Sequence, residues 1–223
     1  MSREALIQVI LDAQLTDGGW ALIGSTSDPD MTGMAIQALA PYYDSNTNVK
    51  KAVDEAVAWL SVAQNEDGSF SSVDGANIES IAQVVVALAT LGIDADKDTR
   101  FIKNGVSAFD ALCAFYVEGG GFRHTADGTL DGMATEQGYY ALVAYFRMLE
   151  GKTGLYNMTD VINLGGDVVE EPVETEPVET TPAVTEPVEV EDQGNGFPWW
   201  IIIVIVGLAG AIVVLLIIKK RIV

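Results

Sequence analysis

The sequence predicts an all-α fold of about three helix pairs, followed by a disordered stalk and one transmembrane helix. Three observations predict it. A Gly-aromatic turn recurs at Trp20, Phe70 and Phe122, spaced by 50 and then 52 residues. Apolar residues between these turns follow a helical period. After residue 164 the composition changes abruptly, first to an acidic Pro-rich tract and then to a wholly apolar run.

Taken in order, Ser2 caps a first helix that runs to about Gln14 and carries Glu4 in its first turn. Thr16 to Trp20 is a turn with two glycines. Asp30 is the expected cap of a second helix, MTGMAIQALAPYY, which Pro41 ends or kinks. The third helix, from about Asn48, sets Val49, Val53, Ala56, Val57 and Leu60 on one face and Lys50, Lys51, Asp54 and Glu55 on the other. That is the period of a surface helix. The fourth, IESIAQVVVALATL, opens after Asn77 and stops at Gly92, and is apolar nearly all round apart from Gln83. A helix of that kind is buried on more than one side. Asp94 to Gly105 is expected to be irregular or a short helical start. A fifth helix covers VSAFDALCAFYV, a long Gly-rich loop covers Glu118 to Gly132, and a sixth helix covers MATEQGYYALVAYFRMLEG.

The turns belong to a repeat. Ala38-Leu39, Ala87-Leu88 and Ala141-Leu142 recur inside the helix that follows each turn. Gln83 and Gln137 stand at one offset before their Ala-Leu pairs, and Met34 holds that place in the first unit. Stacked side by side, the pairs put the more apolar helices in an inner layer and the amphipathic ones outside.

WLSVAQNEDGSF resembles the Gln-Trp motif of the terpenoid cyclase and protein prenyltransferase family of α/α toroids. Trp59-Leu60, Gln64, Gly68 and Phe70 match its aromatic, aliphatic, Gln, Gly and aromatic places, and Gln14, Gly18 and Trp20 match its second half. The third copy keeps Gly120-Gly121-Phe122 but has Tyr116 in place of Gln. The resemblance covers roughly residues 1–160. It implies a partial α/α toroid over residues 1–164, in which the Gln ties an outer helix end to its neighbour. Such toroids host cyclases, prenyltransferases, thioester domains and vitamin-binding proteins, so no single activity is implied. Repeats of this kind followed by a stalk and a span are similar to bacterial cell-surface proteins.

The family's chemistry does not map onto this chain. A squalene-type cyclase protonates an alkene with a neutral Asp among carboxylates. The nearest run here, Asp94-Ala95-Asp96-Lys97-Asp98, has a Lys inside it and a polar setting. The prenyltransferase zinc needs Asp, Cys and His. This chain has one Cys and one His: Cys113 reads as a core residue, His124 as a solvent-facing loop residue, and Glu136 and Gln137 stand where the zinc His would fall. Asp110 with Cys113 offers two ligands, too few for a site. A thioester module needs Cys-Gly before Glu-Gln, and Thr135 precedes Glu136-Gln137. No catalytic residue, cofactor or metal is therefore expected. The expected ligand-binding surface is Met34, Gln37, Glu79, Gln83, Glu136, Gln137, Tyr139 and Tyr140, near the starts of the inner helices. Helix N-termini there favour anionic or polar ligands, although Glu79 and Glu136 also suit the first turn of a helix on their own account. Asp17, Asp67 and Asp127 each sit beside Gly, which turn chemistry explains.

The chain carries 32 acidic and 12 basic residues, a net charge of -20. This excludes a nucleic-acid partner, which needs a basic footprint. Residues 165–196 hold three EPVE units and no Lys or Arg, a tract that builds no core. About 30 extended residues at ~3.1 Å each reach on the order of 90 Å. Within 197–218, Trp199 to Ile218 is uncharged and apolar, and twenty helical residues span ~30 Å, the thickness of a bilayer core. Lys219, Lys220 and Arg221 in the tail, 219–223, place that end in the cytoplasm and the toroid outside the cell. A non-catalytic module at the cell surface, binding a small ligand or a protein, is the leading reading. A divergent membrane-bound cyclase or prenyltransferase is the alternative, and a cobalamin-type vitamin-binding module a further one. The apolar first helix and the missing signal-peptide pattern predict either a further N-terminal toroid half or self-association through ALIQVIL.

Overall fold

The computed structural model describes residues 2–160 other than Asp74 and Met158. The stalk, span and tail expected at 165–196, 197–218 and 219–223 lie outside the described residues. Among the described residues no helix is long and apolar enough to cross a membrane.

Six α-helices take up about half of the described residues: α1 (Arg3–Asp12), α2 (Pro29–Leu39), α3 (Thr47–Ala63), α4 (Ile78–Thr90), α5 (Ala108–Ala114) and α6 (Gly132–Leu149). Each starts where a short polar side chain takes up unpaired N–H groups of its first turn. Ser2, Asn46, Asn77, Ser107 and Asp131 do this for α1, α3, α4, α5 and α6. The cap of α2 corrects the expectation. It is Asp28, not Asp30: its Oδ1 accepts from the Asp30 and Met31 N–H groups at 2.9 and 3.1 Å. Pro29 follows at the first helical position, where a missing N–H costs nothing. The helix gives way at Ala40–Tyr42 to a 3-10 turn that contains Pro41.

The inner layer is α2, α4 and α6, with α4 packed between the other two. All thirteen residues of α4 are buried except Glu79, Gln83 and Thr90, which explains its near-uniform apolar composition. The outer helix α3 buries Val49, Ala52, Val53, Ala56, Val57 and Leu60. Its exposed side carries the ion pairs Lys50–Asp54 and Lys51–Glu55, one turn apart.

The Gln-Gly-aromatic turns are built alike. Gln14 Nε2 donates to its own turn at Gly18 O and to Ala52 O on α3, both at 2.8 Å. Gln64 Nε2 donates to Gly68 O at 2.9 Å and to Phe101 O at 3.0 Å. Each amide thus closes one turn and fastens it to the next unit. Gly18 and Gly68 have φ of +96° and +81°, and a Cβ on either would stand 2.9 Å from a backbone oxygen of that next unit, Glu55 or Ser107. Both positions therefore require glycine. Trp20, Phe70 and Phe122 are buried behind the turns. Trp59 is half-buried, and with Ser27 and the Gly19 N–H it holds the Asp17 carboxylate below its usual range, the Ser27 hydroxyl acting most strongly.

The connections are less irregular than expected. Short antiparallel strands pair β1 (Ser71–Ser72) with β2 (Gly75–Ala76), and β3 (Ile102–Lys103) with β4 (Val106–Ser107). The second hairpin turns on Asn104-Gly105, with φ of +50° and +84°. That dipeptide is a strong signal for a two-residue hairpin. The expected loop over Glu118 to Gly132 contains two short strands, β6 (Gly121–Arg123) and β7 (Leu130–Asp131), which join β5 (Tyr116–Val117) just before it in a three-stranded sheet. Strands on both sides shorten α5 to seven residues, against the twelve expected from VSAFDALCAFYV. In this third unit Tyr116, standing where Gln would be, pairs in register with Phe122 and meets its ring edge-on at 5.5 Å.

After α6 the chain doubles back. Arg147 donates to Thr153 O at 2.8 Å and to Asp160 Oδ1 at 2.6 Å. This clamp brings Tyr156 beside Tyr140, their hydroxyls 2.7 Å apart.

Candidate functional site

Three glutamines, one from each inner helix, form a ladder. Gln37 Nε2 donates to Gln83 Oε1 at 2.9 Å, Gln83 Nε2 to Gln137 Oε1 at 2.9 Å, and Gln137 Nε2 to Glu136 Oε2 at 2.8 Å. Tyr140 crosses from α6 and donates to Gln37 Oε1 at 2.9 Å. Close helix packing makes the first rung feasible: a Cβ on Gly33 would stand 2.8 Å from Gln83 O.

The ladder floors a cavity of about 460 Å³. Six of the eight expected residues line it: Met34, Gln37, Gln83, Glu136, Gln137 and Tyr140. Ala38, Pro41 and Tyr156 complete the wall. Repeat register had put Met34 in line with Gln83 and Gln137. In the structure Gln37, one turn further along the same face, takes the rung, and Met34 becomes an apolar wall. Tyr156 had no signal in the sequence, because its place depends on the Arg147 clamp.

The structure separates Glu79 and Tyr139 from the other six. His124 is exposed, as its loop position suggested, and its Nδ1 lies 2.7 Å from Oε2 of Glu79. The His124 carbonyl also accepts the first N–H of α4, from Ile78. Tyr139 meets Phe122 edge-on at 5.6 Å, and its buried hydroxyl has no hydrogen-bond partner among the described residues.

Among the described residues no Lys, Arg or His lines the cavity, and Glu136 is the one carboxylate that does. Burial, reinforced by the bond to Tyr156, pushes the Tyr140 hydroxyl above its ordinary range, so it remains a donor. Gln83 and Gln137 each commit one N–H to the ladder. An amide has two, so each can offer its second to a ligand. The cavity therefore presents neutral donors, the Glu136 acceptor and apolar walls, which suits a polar molecule without negative charge.

Burial opposes ionisation of Asp94, but the Tyr145 hydroxyl, the Asp96 N–H and Lys97 outweigh it and hold the carboxyl low. Asp98 is held low mainly by Arg100. Neither is the neutral acid that alkene protonation needs. The Ser107 hydroxyl sits between Asp96 and Asp110, at 2.9 and 2.8 Å. Burial first, and then Asp96, pushes the Cys113 thiol up to about 12, far from a metal-binding thiolate. Among the described residues no group of three or more His, Cys, Asp and Glu is placed to hold a metal. Asp67 accepts from the Ser69 N–H and hydroxyl, as expected of a turn residue.

Asp30 is the residue that sequence reasoning misplaced. Displaced from the cap by Asp28-Pro29, it turns inward. Burial pushes its carboxyl up, the Asp28 and Glu79 charges add to this, and the Ser80 hydroxyl offsets part of it. It lines a separate hollow with Leu22, Ile23, Met31 and Val73, away from the ladder. No known protein family matches the chain, and no curated protein is significantly similar to it.

Proposed function

We propose that residues 1–164 form a partial α/α toroid that binds a small, neutral, hydroxyl-bearing ligand on the glutamine ladder, without catalysis. Residues 165–223 hold this module at the outer face of a membrane. The observation that carries the reading is the Gln37–Gln83–Gln137 ladder under a cavity of about 460 Å³. That volume lies within the range of small-molecule sites. Amides with N–H groups to spare, beside a carboxylate acceptor, match the alternating donors and acceptors of neighbouring hydroxyl groups. Met34, Ala38 and Pro41 offer apolar contact beside them. A prenyl diphosphate fits poorly, because among the described residues the lining has no cation to meet it and carries Glu136.

The test uses the full chain in a mild detergent. Saturation-transfer NMR is recorded with neutral mono- and disaccharides, and in parallel with geranyl diphosphate, squalene and cobalamin. A saccharide signal that disappears in Gln83→Leu is the expected result. Turnover of squalene or the diphosphate, or binding of cobalamin alone, would overturn the reading. For the anchoring, protease added to intact cells should release the domain by cutting within residues 165–195, and protection of that tract would contradict it.

A further inference from the structure

Tyr156, at the rim of the ladder cavity, belongs to a segment that apolar packing does not hold in place. No described residue from Leu149 to Asp160 is buried, and Tyr156 itself is 73% exposed. Segments with so little apolar burial open locally at low cost. Polar bonds fix this one. The Arg147 guanidinium donates to the Thr153 carbonyl and the Asp160 carboxylate. The Thr153 hydroxyl and N–H donate to the same carboxylate, at 2.7 and 3.3 Å. These donors, the Thr153 hydroxyl most strongly, hold the Asp160 carboxyl down at about 2, so the clamp stays charged at neutral pH.

What the clamp does at the cavity follows from the hydroxyl protons. A phenol has one O–H to donate. Tyr140 donates its own to Gln37 Oε1 at 2.9 Å, an oxygen that can only accept. The 2.7 Å contact between the Tyr140 and Tyr156 hydroxyls is therefore made by the proton of Tyr156. Tyr156 thus meets the ladder as a ligand hydroxyl would, and occupies the acceptor side of Tyr140. We propose that, with the ladder read as a binding site, this return segment is an autoinhibitory strap. Tyr156 fills the hydroxyl subsite at Tyr140, the Arg147–Asp160 clamp keeps it there, and a ligand binds by displacing it. The apparent affinity is then the intrinsic affinity reduced by the fraction of molecules whose strap is open. Loosening the strap tightens binding.

The test uses the full chain in a detergent without a sugar headgroup. Glucose, galactose, maltose and cellobiose are titrated into wild type, Tyr156→Phe, Tyr156→Ala and Asp160→Ala. Saturation-transfer NMR reads binding, and amide hydrogen exchange reads opening of the strap. Tyr156→Phe and Asp160→Ala should each bind about two- to tenfold tighter than wild type, the range that one net hydrogen bond covers. The two changes combined should bind no tighter than the better single variant, because both remove the same competitor. Saturating sugar should speed exchange over residues 151–157 of wild type. Tyr156 and Asp160 are exposed, so melting curves should match wild type, and Asp160→Asn carries the comparison if Asp160→Ala melts lower. Weaker binding in Tyr156→Ala, or slower exchange in the sugar complex, would overturn the strap and make Tyr156 a clasp that closes on its ligand. Equal affinity in all variants would overturn it as well. Either result leaves the ladder as the binding site. If no sugar binds any variant, the ladder reading falls and the strap falls with it. Binding by Tyr156→Phe with none by wild type would support both.

Discussion

Gln64, at the end of α3, and Gln83, in the middle of α4, are the same side chain in two settings. Gln64 is buried and gives its amide N–H groups to two main-chain carbonyls, Gly68 and Phe101. Its own oxygen is buried without a partner among the described residues, so the donor half alone does the tying. Gln83 gives to one side chain, accepts from another, and opens on a cavity. Main-chain carbonyls occupy fixed positions, and an amide spent on them sets the spacing of the units. Side-chain acceptors can rotate, and an amide spent on them at a cavity keeps capacity for a ligand. Donor and acceptor inventories, rather than residue type, separate the scaffold from the site.

The comparison can be broken most severely at the turns. Phe70, fully buried behind the Gln64 turn, should cost about 3–5 kcal/mol on Phe70→Ala, read by urea unfolding. A variant that unfolds like its parent would mean that the turn is not a packing centre. Gln64→Ala should cost about 1–3 kcal/mol, because it strands two carbonyls away from water. Gln14→Ala removes the same pair of bonds at a half-exposed turn and should cost less. Equal losses would show that burial does not distinguish the two turns.

The ladder should respond in the opposite way. Gln83→Leu is expected to change stability by less than about 1 kcal/mol, since water in the cavity can replace its bonds, while ligand contacts are lost. A large fall in melting temperature would make the ladder part of the scaffold. The smallest effect is at Asp30. Its folded pKa lies above the unfolded value, so between the two the folded chain holds more protons, and stability falls as pH rises through that window. Asp30→Asn removes the penalty. It should raise the melting temperature at pH 7, with the gain fading as pH drops below the ordinary Asp value of 3.8. An unchanged difference at low pH would assign the effect to something other than ionisation.

Much of the scaffold was legible in the sequence because its causes are local. Ser2 and Asn77 cap their helices as read, since a cap acts on N–H groups two or three residues away. The period of α3 names its buried face, because side chains three and four apart share a side of any helix. The motif resemblance set Gln14 and Gln64 beside Gly18 and Gly68, and in the structure each bond closes over four residues. Where local reading failed, a local competitor was overlooked. Asp28-Pro29 outranks Asp30 as a helix start, and Asn104-Gly105 takes two residues from the front of α5 for a hairpin.

Only the tertiary structure decided the site. Gln37 meets Gln83 across 46 residues, and Tyr140 meets Gln37 across 103. No periodicity within one helix specifies which side chain of another helix lies opposite. Met34 and Gln37 share a face of α2, and the contact of Gly33 with the Gln83 backbone selects between them. The same holds for the pairing of His124 with Glu79, the inward turn of Asp30 and the placing of Tyr156. Capping, helical period and turn chemistry act through bonded neighbours and are written in the chain order. Burial and the choice of a distant hydrogen-bond partner depend on how helices approach one another, and exist only once the units have packed.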